Sequence, residues 1–327
     1  MSRLHGALRD WRVWALLAAF ALILVCLARP TWRGRSEVFS YVWVFDITQS
    51  MNVRDMGQVP PGIGRLEYAR QVAARALRRL PCGSEVGVGV FTAHRSLLLF
   101  EPVEVCTHYS ELTQSLAGLD WRMAWRARSE VAKGLYSGLR IVRALGGSTH
   151  LVFFTDGHEA PPINRRLRPR FPAGGGGGGL IVGVGGRVPV PIPRLDRAGR
   201  RLGYWRADEV MQTDVYSYGR PAGQGREQMV DAGPAPIGEA ARRGGREHLS
   251  ALHEAYLRRL ADEQGMDYLR LGGPAGLAGS LTESGRGRWV AMDRDLRPVL
   301  GGLALLLVLL ATTQLRGPRA WPQMRRQ

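Results

Sequence analysis

Lysine is all but missing from these 327 residues: Lys133 is the only one, and arginine carries nearly all the positive charge. Acidic groups are also short, with 28 Asp and Glu against 45 Lys and Arg and a formal net charge of +17. The lack of lysine removes a phosphate-loop reading of the six glycines at 174–179, because no Gly-Lys-Ser/Thr follows them. That run is expected to be a flexible loop before the apolar strand at 180–184. A nucleic-acid surface needs basic residues interleaved with aromatics on one element. Here the arginines are scattered through helices, loops and both ends, so no nucleic-acid partner is expected and the excess reads as a compositional bias. A poised nucleophile with a base is missing too. His94, His108, His150 and His158 are scattered, and only His158 lies near a polar motif, so the chain is not expected to be an enzyme. There is no internal repeat.

What is present begins with two apolar runs. Residues 13–28, bracketed by Arg12 and Arg29, and 298–315, between Arg297 and Arg316, are free of charge. Each is near the lower limit for a membrane-spanning helix, about 17 residues, and both are expected to be transmembrane helices. Trp11, Trp14 and Trp32 flank the first like an interfacial belt. A cleaved signal peptide is the rival reading, but no clear small-x-small site follows, and Cys26 after Val25 makes a poor lipoprotein site. Arg3, Arg9 and Arg12 before the first run, and Arg316, Arg319, Arg325 and Arg326 after the second, favour cytoplasmic tails at 1–12 and 316–327. The intervening domain would then be outside the inner membrane of a bacterium. Cys82 and Cys106 support that placement. Folding 86–91 and 96–103 as a hairpin sets Phe91 opposite Leu97, and the same register sets Cys82 opposite Cys106 as a disulfide candidate. Such a bond is expected only in an oxidising compartment; two buried free thiols are the alternative.

Between the runs, periodicities of 2 and 3.6 alternate. After a basic linker at 29–37, an apolar strand at 38–45 leads into Asp46, Thr48 and Ser50. A second apolar strand at 151–154 ends in Thr155-Asp156-Gly157. The stretch 65–80 is an amphipathic helix with Leu66, Ala69, Val72, Ala73 and Ala76 on one face and arginines on the other. Helices are also expected at 107–119, 129–145 and about 248–264, and strands at 180–184 and 267–271. Ser129-Glu130 resembles a helix N-cap with an early carboxylate. A hairpin is expected within 189–205, turning at 196–199, and 219–246 reads as a mobile insertion. The fold class is therefore α/β: a doubly wound, mainly parallel sheet with one antiparallel edge hairpin, flanked by two transmembrane helices.

Two buried strands that end in carboxylates put oxygen ligands on the carboxyl edge of a parallel sheet, where open α/β sheets bind ligands. Oxygen-only donors suit Mg²⁺, Mn²⁺ or Ca²⁺. Asp, Thr and Ser after a strand also serve as turn residues and N-caps, but the paired strand ends and the D-x-T-x-S spacing favour a cation site.

These residues resemble the von Willebrand factor A (VWA) domains, over roughly residues 37–285 with an insertion at about 186–246. Asp46, Thr48 and Ser50 match that family's Asp-x-Ser-x-Ser turn, with Thr in the middle position, and Asp156 matches its Thr-Asp-Gly loop. Ser129 stands where the family usually has Thr. The resemblance implies a metal-ion-dependent adhesion site, in which Thr48, Ser50 and Ser129 contact the ion through hydroxyls. Asp46 and Asp156 would then act through waters or hydrogen bonds, and an acidic residue of a protein partner would complete the octahedron. The strings around Asp46 to Asp55 and Phe154 to Pro162 look like membrane-anchored bacterial members encoded with MoxR-type AAA+ ATPases. They are most similar to accessory members of methanol dehydrogenase clusters, implicated in Ca²⁺ insertion. That similarity implies a periplasmic dehydrogenase as client. The alternative is an envelope-stress or aerotolerance-type protein working with the ATPase.

Overall fold

The computed structural model describes residues 11–57, 62–126, 128–162, 178–210, 246–283 and 285–313. In chain order the first elements are α1 (Trp11–Leu27), β1 (Thr31–Val38), β2 (Ser40–Asp46), α2 (Arg65–Leu77), β3 (Glu85–Thr92) and β4 (Arg95–Glu104). Then come α3 (Tyr109–Gly118), α4 (Val131–Leu145), β5 (Thr149–Thr155), β6 (Gly179–Gly183), β7 (Val190–Pro191), β8 (Pro193–Leu195) and β9 (Arg201–Tyr204). The last are β10 (Leu249–Ser250), α5 (Glu254–Gln264), β11 (Asp267–Arg270), α6 (Pro274–Thr282), β12 (Arg288–Asp295) and α7 (Arg297–Thr313). Two compact units result, one from residues 1–36 with 289–327 and one from 37–288.

The larger unit is a mixed α/β layer structure. Its six-stranded sheet has the order β11-β6-β5-β2-β3-β4. Neighbours are parallel except β3 and β4, which form an antiparallel edge. Both faces are covered, so β2 is apolar at nearly every position and is buried from end to end. Tyr41, Trp43 and Phe45 point to one side and pack with Leu66, Val72 and Ala76 of α2, Leu112 and Leu116 of α3, and Leu277 and Leu281 of α6. Val42 and Val44 point to the other and pack with Val131, Leu135 and Leu139 of α4 and Leu257 and Leu260 of α5. Each such side chain contributes roughly 1.5–3 kcal/mol by leaving water. Parallel pairing has one consequence for function: β2 and β5 run side by side, with Phe45 opposite Phe154, and so deliver Asp46 and Asp156 to the same sheet edge.

Close packing of α4 on the sheet depends on one glycine. A Cβ on Gly134 would lie 2.1 Å from the Phe91 ring.

Several expectations are corrected. The basic linker at 29–37 is largely the strand β1, which pairs with β12 in a two-stranded ribbon. The β3–β4 hairpin has Phe91 opposite Ser96, not Leu97, while Glu85 faces Glu104; irregularities between Val86 and Gly89 shift the register between its two ends. The expected pairing of Cys82 with Cys106 is nevertheless present as a disulfide, with Cα atoms 5.3 Å apart. The helix expected from 248 begins at Glu254, because Leu249 and Ser250 instead pair with Val190 and Pro191. The stretch 120–126, expected as a loop, contains a short 3₁₀ turn at Trp121–Met123. The expected mobile insertion at 219–246 lies, apart from residue 246, outside the described residues, as does most of the glycine run.

In the smaller unit α1 and α7 pack on one another. The most buried residues of the two helices are Ala15, Ala19, Ala304 and Ala311. The two transmembrane spans expected at 13–28 and 298–315 are corrected in length. Each helix has 17 residues, and among the described residues no helix is long and apolar enough to cross a membrane. At 1.5 Å per residue each is about 25 Å long, against a hydrocarbon core of about 30 Å.

Candidate functional site

The two carboxylates of the site stand where sheet strands give way to loops. Asp46 ends β2 and is fully buried. Its Oδ1 accepts from the Thr48 backbone N–H at 2.9 Å and from the Thr48 hydroxyl at 2.6 Å, and its Oδ2 accepts from the Thr155 hydroxyl at 2.6 Å. Ser50 opens onto the same group, its Oγ 3.3 Å from Thr48 Oγ1. Asp156 follows β5 and is held by the His158 N–H at 2.9 Å and the Ser250 hydroxyl at 3.0 Å. Between them Gly157 has φ +77°, and its N–H reaches Thr155 Oγ1 at 3.0 Å. A Cβ there would be strained and would touch Leu257 at 3.0 Å.

Ser129 joins from a third loop. Its backbone pairs with Ala160 in both directions at 2.8 Å, and the N–H of Glu130 donates to Ala93 O at 2.6 Å. These bonds lace together the β3–β4 turn, the entry to α4 and the exit of β5.

Helix capping does not account for the hydroxyls. Thr48 precedes the 3₁₀ turn Gln49–Asn52 but makes no side-chain cap bond to it. The expected cap of α4 by Ser129-Glu130 is also corrected. The free N–H groups of Val131 and Ala132 are met instead by the Glu159 carboxylate, each at 3.0 Å, and Tyr256 donates to the same carboxylate at 2.5 Å. Glu159 thus leaves Ser129 Oγ buried with no hydrogen-bond partner. A buried hydroxyl without a partner costs about 1–3 kcal/mol, so its presence on the cavity that Thr48 and Ser50 also line fits a ligand atom.

The electrostatics turn on a residue that sequence reasoning placed on a solvent face. Arg65 opens α2 and is fully buried. Its Nη1 donates to Asp156 Oδ2 and to Ser250 Oγ, both at 2.6 Å, and its Nη2 to Asp55 Oδ2 at 2.6 Å. Asp55 also accepts from the Gly186 N–H at 2.8 Å. Burial works to raise the Asp156 carboxyl, but Arg65, His158 and the Ser50 hydroxyl together hold it below the usual carboxylate range. Asp46 has no such cation. Burial, and then the charge of Asp156, push it up to about 7.

A cavity of ≈ 180 Å³ opens on the hydroxyls. Thr48, Ser50, Ser129 and His158 line it from the sheet edge, and Ile192, Trp205, Glu209, Val210 and Glu247 line it from the segments that follow β6. His158 is buried, and both its ring nitrogens lack a hydrogen-bond partner. Desolvation pushes its imidazole below the usual range. Burial pushes the Glu247 carboxyl up to about 7.

Of the five residues expected to form the site, Thr48 and Ser50 contact Asp46 or line the cavity, and Ser129 lines it. Asp46 and Asp156 lie directly beneath. The donor set, three hydroxyls near two buried carboxylates, fits a hard divalent ion: Thr48, Ser50 and Ser129 would hold it through oxygen and the carboxylates would offset part of its charge. Sequence reasoning missed Arg65, Asp55, Glu159 and Glu247. For Arg65 the available signal was its position at the first turn of a helix, ten residues after Asp55.

No family model matches this sequence, and no curated protein matches it. Among solved structures the chain is similar to an aerotolerance-related membrane protein from Bacteroides fragilis. That match has 16% identity and a TM-score of 0.46, and covers 75% of this chain and 97% of that one. It is also similar to the ArnB paralog VWA2 from Sulfolobus acidocaldarius, at 13% identity and a TM-score of 0.37 over 78% of this chain and 47% of that one. A von Willebrand factor type A protein from Catenulispora acidiphila matches at 11% identity and a TM-score of 0.37, over 82% of this chain and 43% of that one. The chain spans less than half the length of these last two. At such identities and TM-scores the likeness assigns no function, and the fold stands on its own sheet order.

Proposed function

We propose that the 37–288 unit is a VWA-type binding module with a divalent cation at Thr48, Ser50 and Ser129, and that it docks a carboxylate of a protein partner. The observation that carries this reading is the buried, unpartnered Ser129 hydroxyl facing the same cavity as Thr48 and Ser50. Hydroxyl ligands leave the cation under-neutralised, since Asp46 and Asp156 spend their oxygens on Thr48, Thr155, Ser250 and Arg65. An under-neutralised ion attracts an anionic ligand from outside. Neutral hydroxyl ligands support a reading of binding in place of catalysis, because they do little to activate a bound water.

The α1–α7 pair is the proposed membrane attachment. Trp14, Phe20, Leu24, Leu303, Leu306 and Leu310 are exposed along it, and surface of that kind marks membrane or partner contact. The Cys82–Cys106 disulfide supports placing the larger unit in an oxidising compartment such as the periplasm. There the module would assist assembly, or Ca²⁺ insertion, of an enzyme such as a methanol dehydrogenase. Affinity capture from membranes, with Mg²⁺ or Ca²⁺ and then with chelator, tests this. Cation-dependent recovery of a periplasmic dehydrogenase, lost in Ser50→Ala, is the expected result. Recovery of a MoxR-type ATPase alone points to the envelope-stress role, and recovery that ignores both chelator and Ser50→Ala removes the docking reading.

A further inference from the structure

The segment after β6 does more than cover the sheet edge; it is stitched onto the site. Leu252 N–H donates to Gly186 O at 2.7 Å, and His253 N–H to the backbone oxygen of Asp156 at 2.9 Å. Ser250 Oγ meets both Asp156 Oδ2 and Arg65 Nη1. His248 O accepts from Ile192 N–H at 3.0 Å, and Ile192 O accepts from Trp205 N–H at 3.0 Å. Glu247, one residue before His248, is therefore placed by backbone that is tied to Asp156 itself.

Two carboxylates, Glu209 and Glu247, line the cavity from this side. Glu209 accepts from Arg194 Nη1 at 3.1 Å and from Arg206 N–H at 3.0 Å within its own hairpin. Glu247 lies with its Oε2 3.9 Å from His158 Nε2, facing the cavity that Thr48, Ser50 and Ser129 also face. The volume, ≈ 180 Å³, has room for a cation with several waters. A carboxylate inside a space of that size is within reach of an ion held on the opposite wall. The buried Ser129 Oγ, without a hydrogen-bond partner, indicates that the space is built for a polar occupant.

We propose that Glu247 is the site's own carboxylate ligand: it completes the cation's coordination from within the chain, and a partner docks by displacing it. This rests on the cation-site reading above. It makes the resting site closed and docking a competition between two carboxylates. The partner is thereby defined by chemistry, as an acidic segment that outcompetes an internal glutamate.

Mn²⁺ binding to the full chain, followed by electron paramagnetic resonance and water-proton relaxation, tests both levels separately. Wild type should bind Mn²⁺ with few inner-sphere waters. Glu247→Gln and Glu247→Asp should each bind at least about tenfold more weakly and gain inner-sphere water, whereas Glu209→Gln should match wild type. If Glu247→Gln keeps wild-type affinity and hydration while Ser50→Ala has lost Mn²⁺, the internal-ligand proposal is overturned and the cation site survives. If Glu247→Asp is indistinguishable from wild type while Glu247→Gln is weak, the carboxylate acts through space and ligation is wrong. Absence of Mn²⁺ binding in wild type itself removes the cation site and this proposal with it.

Discussion

Arg65→Met should be the most damaging single change in the sheet edge, and its size follows from the contacts. The guanidinium spans Asp55 and Asp156, with four N–O distances of 2.6 to 3.1 Å, and bonds Ser250 Oγ and O as well. Methionine fills much of the volume but leaves Asp156, fully buried, without a counter-charge and close enough to Asp46 to raise it. Removing one partner of a buried ion pair costs about 3–5 kcal/mol. For a unit of this size that lowers the melting temperature by roughly 6–20 °C. Urea unfolding followed by tryptophan fluorescence measures the loss. A saturating divalent ion should restore part of it, about 2.7 kcal/mol at a hundred times Kd, because the ion takes over as the missing positive charge. In the double variant Arg65→Met with Asp156→Asn, the cost should be well below the sum of the single losses. A loss under about 1 kcal/mol in the single variant, or strict additivity in the double, would refute the claim that Arg65 neutralises this cluster.

Three further outcomes follow from named contacts. Asp46 has a folded pKa of about 7, above its unfolded value of 3.8, so it binds its proton more tightly in the folded state. Its contribution to the stability of cation-free protein is therefore full below about pH 4 and is lost as pH rises to 7. Divalent ions displace that proton, so their affinity should rise up to about tenfold per pH unit below 7 and level off above it; Mn²⁺ titrations at three pH values check this, and a flat profile contradicts it. Glu159→Ala strips the cap from α4 and should cost about 1–2 kcal/mol in urea unfolding, whereas a neutral result would mean that water replaces the carboxylate at Val131 and Ala132. Changing Cys82 and Cys106 to serine opens a loop with a sequence separation of 24, which in the chain-entropy model costs about 3 kcal/mol, read as a lower urea midpoint.

The central strands were legible because burial on both faces leaves a continuous apolar run, as in Val42, Trp43 and Val44, and because the oxygen-bearing residues come directly after such runs. What decided the character of the site was not legible. Arg65 reads as one more arginine in an arginine-rich helix, and only tertiary packing turns it inward between Asp55 and Asp156. Ser129 reads as an N-cap because that is the local option. The carboxylate that replaces it comes from Glu159, about thirty residues away, and no local pattern reports that. The hairpin register failed for a related reason: irregularities between Val86 and Gly89 move the pairing by more than strict alternation allows. The ribbon of β1 with β12 joins segments some 250 residues apart, beyond the reach of any window on the sequence.

The proposed cation site requires Ser129 as a ligand. Calorimetric titration of Mn²⁺ into wild type and Ser129→Ala, with near-ultraviolet circular dichroism of both, measures this directly. One ion per wild-type chain is expected, with at least about tenfold weaker binding in the variant and an unchanged spectrum, because the serine hydroxyl has no hydrogen-bond partner in the fold. Equal affinity in the two proteins would contradict that role.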